Sequence, residues 1–327
     1  MKKCFIILIL QLNLLLMGNA EESYKQQEWT FKNGELCLGG VLLIPNGEGP
    51  YPVLICVHGS GGQDREQFQQ IDAACLENGI AVLRYDKRGV GVSKGDWKTS
   101  DLNDLAGDVL AAAASLKKCK DIDAAKIGLI GVSQGGWVIA LAAAESSDIA
   151  FIVSVVGSAQ TPREQDRTRM IHMLTANGFD EAAIKEVGDM NDQLWQFIMG
   201  EIKASQIRSL LDAASQKKWF KVLFGDLSVD FLFKHLNEQK VFLAKIAGHD
   251  PVPILKKIQC PVIAFFGEKD PMVPPDINVP VWEKALEEGP CEDFEVKVFS
   301  DTGHNLSKAM LSSAIKWIRE RFIDRKK

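Results

Sequence analysis

The sequence predicts an α/β protein: a mostly parallel β-sheet covered by helices on both faces and interrupted once by a helical insertion. Three observations carry this. Short strands that are apolar on both faces alternate with helical stretches, as in Val53–Val57, Ile80–Tyr85, Lys126–Val132 and Ile149–Val156, the pattern of a sheet buried on both sides. From Thr161 to about Ile258 no β-branched run occurs and the stretch reads as helices. Pro261–Phe266 and Phe294–Phe299 then resume the strand pattern.

The chain opens with Met1-Lys-Lys-Cys, a basic start, followed by Phe5 to Met17, mostly Ile and Leu. Gly18-Asn-Ala20 supplies small residues at the two positions a signal peptidase reads. Gln11 and Asn13 interrupt the apolar run, which is too short and too polar for a bilayer span. Residues 1–20 are therefore expected to be a cleaved leader, with Glu21 the first mature residue. The protein would be exported from a bacterial cytoplasm to the periplasm or beyond, with no stable membrane insertion after cleavage. No cysteine follows the run, so no lipid anchor is expected at the new terminus. Residues 21–160 and 259–327 form the expected core, and 161–258 the helical insertion.

Glu28–Lys32 and Glu35–Ile44 flank Asn33-Gly34, a hairpin turn signal, and should extend one edge of the sheet. The Pro- and Gly-rich segment Pro45–Pro52 leads into the strand Val53–Val57. A helix is expected from about Glu66 to Asn78, closed by Gly79, and another from about Leu102 to Lys117 capped by Ser100 or Asp101. Within the insertion, Glu181–Met199 and Glu201–Ala214 read as helices, and aromatics such as Trp195, Phe197, Trp219 and Phe242 are dense. Most should pack a small core of their own. Val279–Glu288 and Leu306–Arg321 complete the helices. No repeat or low-complexity tract appears.

With 327 residues, 46% of them hydrophobic, the chain can bury a substantial core. Its net charge of −5 becomes two units more negative when Lys2 and Lys3 leave with the leader. That balance argues against nucleic acid or anionic membrane partners. Seven cysteines, six after loss of Cys4, are too few for a disulfide scaffold, and their pairing is not legible. Cys56 lies within an apolar strand as a small hydrophobe. No C-x-x-C or clustered His/Cys spacing suggests a metal, and no organic cofactor is implied.

The chemistry centres on Gly131-Val-Ser133-Gln-Gly135, between an apolar strand and an Ala-rich helix that runs to about Glu145. A serine at such a turn is held in a strained conformation that lifts its hydroxyl out of the sheet. The flanking glycines remove side chains where strand and helix nearly touch. The backbone N–H of Gln134 then faces any oxygen bound beside the serine. A serine hydroxyl needs an oriented base. Among the five histidines only His304 sits in a loop just past a late core strand. His58 reads as loop-shaping, and His172, His235 and His249 as surface or packing residues of the insertion. The base needs a carboxylate. Asp270, at the end of Pro261–Phe266, is the first candidate, Glu268 the second and Asp301 a weaker third. Charge on a substrate oxygen needs preorganised donors, each worth ~3 kcal/mol. Gln134 supplies one and His58-Gly-Ser60-Gly-Gly62 the other, through Ser60 or alternatively Gly61. That Gly-rich loop matches no phosphate-binding pattern.

Together His58-Gly-Ser-Gly-Gly-Gln-Asp-Arg65, Leu83-Arg-Tyr-Asp-Lys-Arg-Gly-Val-Gly-Val-Ser93 and Ile127-Gly-Leu-Ile-Gly-Val-Ser-Gln-Gly-Gly136 resemble the α/β-hydrolase superfamily. More closely, they are similar to exported bacterial hydrolases of the prolyl-oligopeptidase/serine-aminopeptidase branch and its esterases. The resemblance covers almost all of residues 28–325. It implies an α/β-hydrolase fold with the insertion as a lid, Ser133 as nucleophile, Asp270 as acid and His304 as base. The chain order serine, aspartate, histidine is the one that fold uses. Gly62 departs from it, standing where many relatives carry proline. The implied activity is hydrolysis of a small-molecule ester or, alternatively, a short peptide or thioester. Asp86 and Arg88 are expected to brace the turn beside the Gly-rich loop, and Arg163, Arg167 and Arg169 are candidates for binding an acidic substrate.

Overall fold

Strands that are apolar on both faces need cover on both faces. A computed structural model describes residues 24–324 and shows how that cover is built. The expected leader and its boundary at Glu21 lie outside the described residues. Strands β1 (Tyr24–Asn33), β2 (Leu36–Pro45), β3 (Tyr51–Val57), β4 (Ala81–Tyr85), β5 (Ile122–Val132), β6 (Phe151–Val155), β7 (Val262–Gly267) and β8 (Phe294–Phe299) form one sheet. Their order is β1-β2-β4-β3-β5-β6-β7-β8. From β4 to β8 every pairing is parallel. The hairpin β1–β2 is antiparallel and extends the β4 edge.

Helices α2 (Leu102–Leu116), α3 (Gln134–Glu145) and α10 (Pro275–Glu287) cover one face, contributing Val109, Ile139 and Trp282 to its core. Helices α1 (Asp72–Glu77) and α11 (Lys308–Ile318) cover the other with Leu76, Ile315 and Ile318. Asp101, rather than Ser100, caps α2: its side chain accepts from Asp104 N–H at 2.8 Å, and Asp104 returns a bond from Asp101 N–H. The Ser100 hydroxyl instead receives Arg88.

Several boundaries differ from the sequence pattern for identifiable reasons. β1 already includes Tyr24 to Gln27, ahead of the expected start at Glu28, because Lys25 to Glu28 are exposed polar side chains on an edge strand and carry no apolar signal. The helix expected from Glu66 starts as a 3₁₀ segment, Arg65–Ile71, before the short α1, tightened by i→i+3 bonding. α10 begins at Pro275, a residue suited to the first helical position, where the missing N–H has no partner to lose.

Between β6 and β7 the chain forms α4 (Pro162–Ala176), α5 (Glu181–Ile198), α6 (Ala204–Ala214), α7 (Phe220–Phe224), α8 (Val229–Ile246) and α9 (Val252–Leu255). Thr161 opens it with a reciprocal capping box to Glu164, and Pro162 follows at the first helical position. These helices bury a separate cluster that includes Leu194, Phe197, Leu211 and Trp219. The outgoing segment is pinned to the core: Trp137 Nε1 donates to Ser158 O at 2.8 Å and Trp282 Nε1 to Gly157 O at 2.9 Å. Phe242 returns to the main core, its ring 5.7 Å edge-on to Trp97. Among the described residues no helix is long and apolar enough to cross a membrane.

The loop after β4 carries three consecutive buried charges, Asp86, Lys87 and Arg88. Arg88 Nε and Nη2 grip the two oxygens of Asp108, each at 2.7 Å, while Nη1 donates to Ser100 Oγ at 2.9 Å. Asp86 accepts from the Arg65 guanidinium and from the Arg65 and Val92 N–H groups. Asp86 and Arg88 thus hold the turn rather than face solvent. Removing one partner strands a buried charge, so Asp108→Ala should cost about 3–5 kcal/mol in urea unfolding. A loss below about 1 kcal/mol, the level of an exposed pair, would contradict this account.

Candidate active site

The apolar end of β5 turns directly into α3, and Ser133 sits at the junction with φ 56° and ψ −120°. Two close approaches enforce that turn. A Cβ on Gly131 would lie 2.4 Å from Gly135 O, and one on Gly135 would lie 2.4 Å from Val57 O. Neither position tolerates a side chain. Ser133 N–H donates to Val155 O at 2.9 Å, which ties the turn to the neighbouring strand. A serine at a helix start commonly caps it, yet this hydroxyl makes no capping bond. It is directed elsewhere.

His304 Nε2 lies 2.9 Å from Ser133 Oγ, and His304 Nδ1 lies 2.8 Å from Asp270 Oδ2. An ionised carboxylate only accepts, so Nδ1 carries the proton and donates to Asp270, leaving the Nε2 lone pair to accept from the serine O–H. Asp270 is 1% exposed. Its other oxygen accepts from the Met272 and Val273 N–H groups at 2.8 and 3.1 Å, which fixes the carboxylate's orientation. The loops bearing Asp270 and His304 are stitched together by Glu268 N–H to Phe299 O and Lys269 N–H to Thr302 O, both 2.9 Å. Glu268 and Asp301, the alternative carboxylates, are both exposed. Asp301 pairs with Lys269, whose ammonium holds its carboxyl below the usual carboxylate range.

The remaining histidines have other surroundings. His58 Nε2–H donates to Asp64 O at 3.0 Å, and its ring packs edge-on against Phe68 and Tyr85. Burial, aided by the Lys87 charge, pulls its pKa down to about 4. His249 rests 5.2 Å from the Trp137 ring, and burial lowers it likewise to about 4. His235 is exposed and stacked on Phe231. His172 is half-buried on α4. The insertion arginines have internal partners: Arg163 and Arg167 share Asp192, and Arg169 pairs with Asp166.

Beside the serine runs the Gly-rich loop. A Cβ on Gly59 would meet Ser133 Cβ at 3.6 Å and Val132 O at 3.2 Å, so this backbone touches the turn. Ser60 follows, exposed, and Gly61 has φ +84°. A Cβ at Gly62 would come within 2.8 Å of Trp97 Nε1, so the indole takes the space a side chain would need there. The Gln134 side chain is buried. One residue here was not singled out from sequence. Lys87, 3% exposed, donates to Gly59 O at 2.8 Å, Gly61 O at 3.0 Å and Gln134 Oε1 at 3.2 Å. Its ammonium also lies 5.6 Å from the Trp97 ring centre, and burial lowers its pKa to about 7. Among the described residues no group of three or more His, Cys, Asp or Glu side chains could hold a metal ion.

A family model described as alpha/beta hydrolase fold matches residues 52–308. Among curated proteins, the chain is 25% identical over 314 residues to Esterase EstD of Thermotoga maritima, covering 93% of this chain but 66% of that esterase's length. Among solved structures, the Pyrococcus furiosus esterase Pf2001 superposes with a TM-score of 0.62 at 16% identity, covering 92% of each chain. Acetyl xylan esterase 1 of a Thermoanaerobacterium species gives 0.55 at 19% identity, covering 92% of this chain and 84% of its own. At these identities the two structures speak to the fold alone.

The neutral, buried His58 sets an acid limit on stability. Its folded pKa of about 4 lies below the 6.5 of an unperturbed histidine, so between those values the unfolded chain binds more protons. Stability is then present above 6.5 and lost as pH falls through 4. His58→Gln should lower by up to about one the protons taken up on unfolding in that window, measured from urea stability at a series of pH values. An unchanged slope would show that His58 is not held neutral.

Proposed function

The chain belongs to the alpha/beta hydrolase fold family, and from that premise we propose that it is a serine hydrolase cleaving carboxylic esters of small molecules through an acyl-enzyme. One observation carries the reading: the unbroken line of hydrogen bonds from Asp270 through His304 to a Ser133 hydroxyl that caps nothing. Ser133 Oγ attacks the ester carbonyl as His304 Nε2 takes its proton. The N–H groups of Gln134 and Ser60 receive the developing oxyanion. His304 then protonates the departing alcohol, and Asp270 stabilises the imidazolium without itself becoming protonated. Water, deprotonated by the same imidazole, attacks the acyl-Ser133 ester and releases the acid. The helical insertion serves as the lid, because segments joined at the carboxyl ends of such strands border the cleft there.

A peptidase would need a fixed charge to hold a peptide terminus. The arginines best suited to that are committed to Asp192 and Asp166, which favours the ester reading over short peptides. The esterase name of the Thermotoga maritima relative points the same way.

Fluorophosphonate should label the wild type and fail on Ser133→Ala, which loses turnover of a nitrophenyl ester by at least about a thousandfold. His304→Ala and Asp270→Asn should fall by a similar order. Labelling or turnover that persists in Ser133→Ala would end the proposal. The same reading has residues 1–20 removed on export. Mass spectrometry of the native protein should find Glu21 at its N-terminus, whereas an intact Met1 on a cytoplasmic protein would refute export.

A further inference from the structure

We propose that Lys87 is a positioning residue that aims both backbone donors of the oxyanion site, an inference that rests on the serine-hydrolase reading above. The peptide bonds after Gly59 and Gly61 are trans, so each carbonyl points opposite to the N–H of the next residue. Lys87 takes the Gly59 carbonyl at 2.8 Å and the Gly61 carbonyl at 3.0 Å. The N–H groups of Ser60 and Gly62 are thereby turned away from Lys87. The Gly59 backbone lies against Ser133 and Val132, so the Ser60 donor is presented beside the nucleophile.

The third N–H of the same ammonium reaches Gln134 Oε1 at 3.2 Å. Gln134 is the first residue of α3 and directly follows Ser133. One side chain therefore ties the Gly-rich loop to the residue bearing the other donor. An ammonium has three N–H bonds, and here each has an acceptor. Removing any one partner would leave a buried polar group unmet, so the arrangement is all or none. Gly61 at φ +84° has no side-chain packing to fix it, since a Cβ there would meet nothing within 4 Å. The lysine supplies a restraint that the glycines cannot. Cation-held carbonyls also polarise their peptides, which strengthens the opposing N–H groups as donors.

A thionoester separates this role from general support, because thiocarbonyl sulfur accepts hydrogen bonds poorly. Wild type should turn over an oxoester far faster than its matched thionoester. In Lys87→Met, kcat on the oxoester should fall about a hundredfold with KM within about threefold, while the thionoester rate changes little, so that the oxo/thiono ratio collapses. Equal losses on both substrates would mean Lys87 only supports the fold, and an unchanged oxoester kcat would also overturn the proposal. Should Lys87→Met not fold, Lys87→Gln, which offers at most two N–H bonds to three acceptors, should lower the ratio to an intermediate value. A wild-type ratio in that variant would sink the idea. Failure of the underlying reading shows separately, as turnover retained in Ser133→Ala.

Discussion

The backbone at Ser133 is held at a positive φ because β5 and α3 meet with no room between them. A non-glycine residue in that conformation persists only where its surroundings over-determine it. Here they do. Val155 O receives the serine N–H, and Gly131 and Gly135 sit in contact with opposing carbonyls. The hydroxyl is consequently barred from capping the helix it precedes and is free to meet the imidazole. The contact between Ser133 and His304 depends on this one crowded junction, and the positions of His304 and Asp270 follow from strands that end beside it.

The parallel sheet does the rest of the gathering. β5 and β7 flank β6, so the loops after β5 and β7 emerge on the same edge, and β8 delivers His304 next to them. The sheet's strand order thus brings residues 171 positions apart into contact. On the other flank, the turn after β4 places three successive charges in the interior, each with its own acceptor or donor set. Asp86 is consumed by Arg65 and Arg88 by Asp108. Lys87 between them points to the Gly-rich loop instead. A run of buried charges is costly unless every member is matched, and here each has its partners.

The strands are legible because short runs apolar on both faces, bounded by turn residues, fit a buried strand. The serine and aspartate are legible because each follows the end of such a run, and the histidine because it lies just past the last strand, the alternating Phe294–Phe299. What escapes is information that does not reside in local pattern. Lys25 to Glu28 of β1 are exposed and polar and join the sheet through the backbone ladder to β2, so they give no periodic signal. Lys87 lies in the charged run Arg84–Arg88, where nothing in the local pattern sets it apart. Only the fold reveals that its stem passes into the interior, and that the carbonyls of Gly59 and Gly61 await it. Asp270 and Glu268 lie two residues apart, and position along the chain separates them weakly. The turn after Gly267 buries the first and exposes the second.

The insertion obeys a different logic. It begins at a capping box, buries its own cluster around Phe197 and Trp219, and is fastened to the core mainly through its ends. At the outgoing end Trp137, Trp282 and Asn278 bind the backbone of Gly157 to Ala159. Near the returning end Phe242 packs on Trp97, the same indole that faces Lys87. Because the insertion's core is separate, its middle helices can vary without disturbing the sheet or the serine junction. Because its returning helix leans on Trp97, the packing that holds the lysine and the Gly-rich loop is continuous with the base of the insertion. The insertion and the Gly-rich loop are therefore joined through one tryptophan, while the strain at Ser133 is set where β5 meets α3.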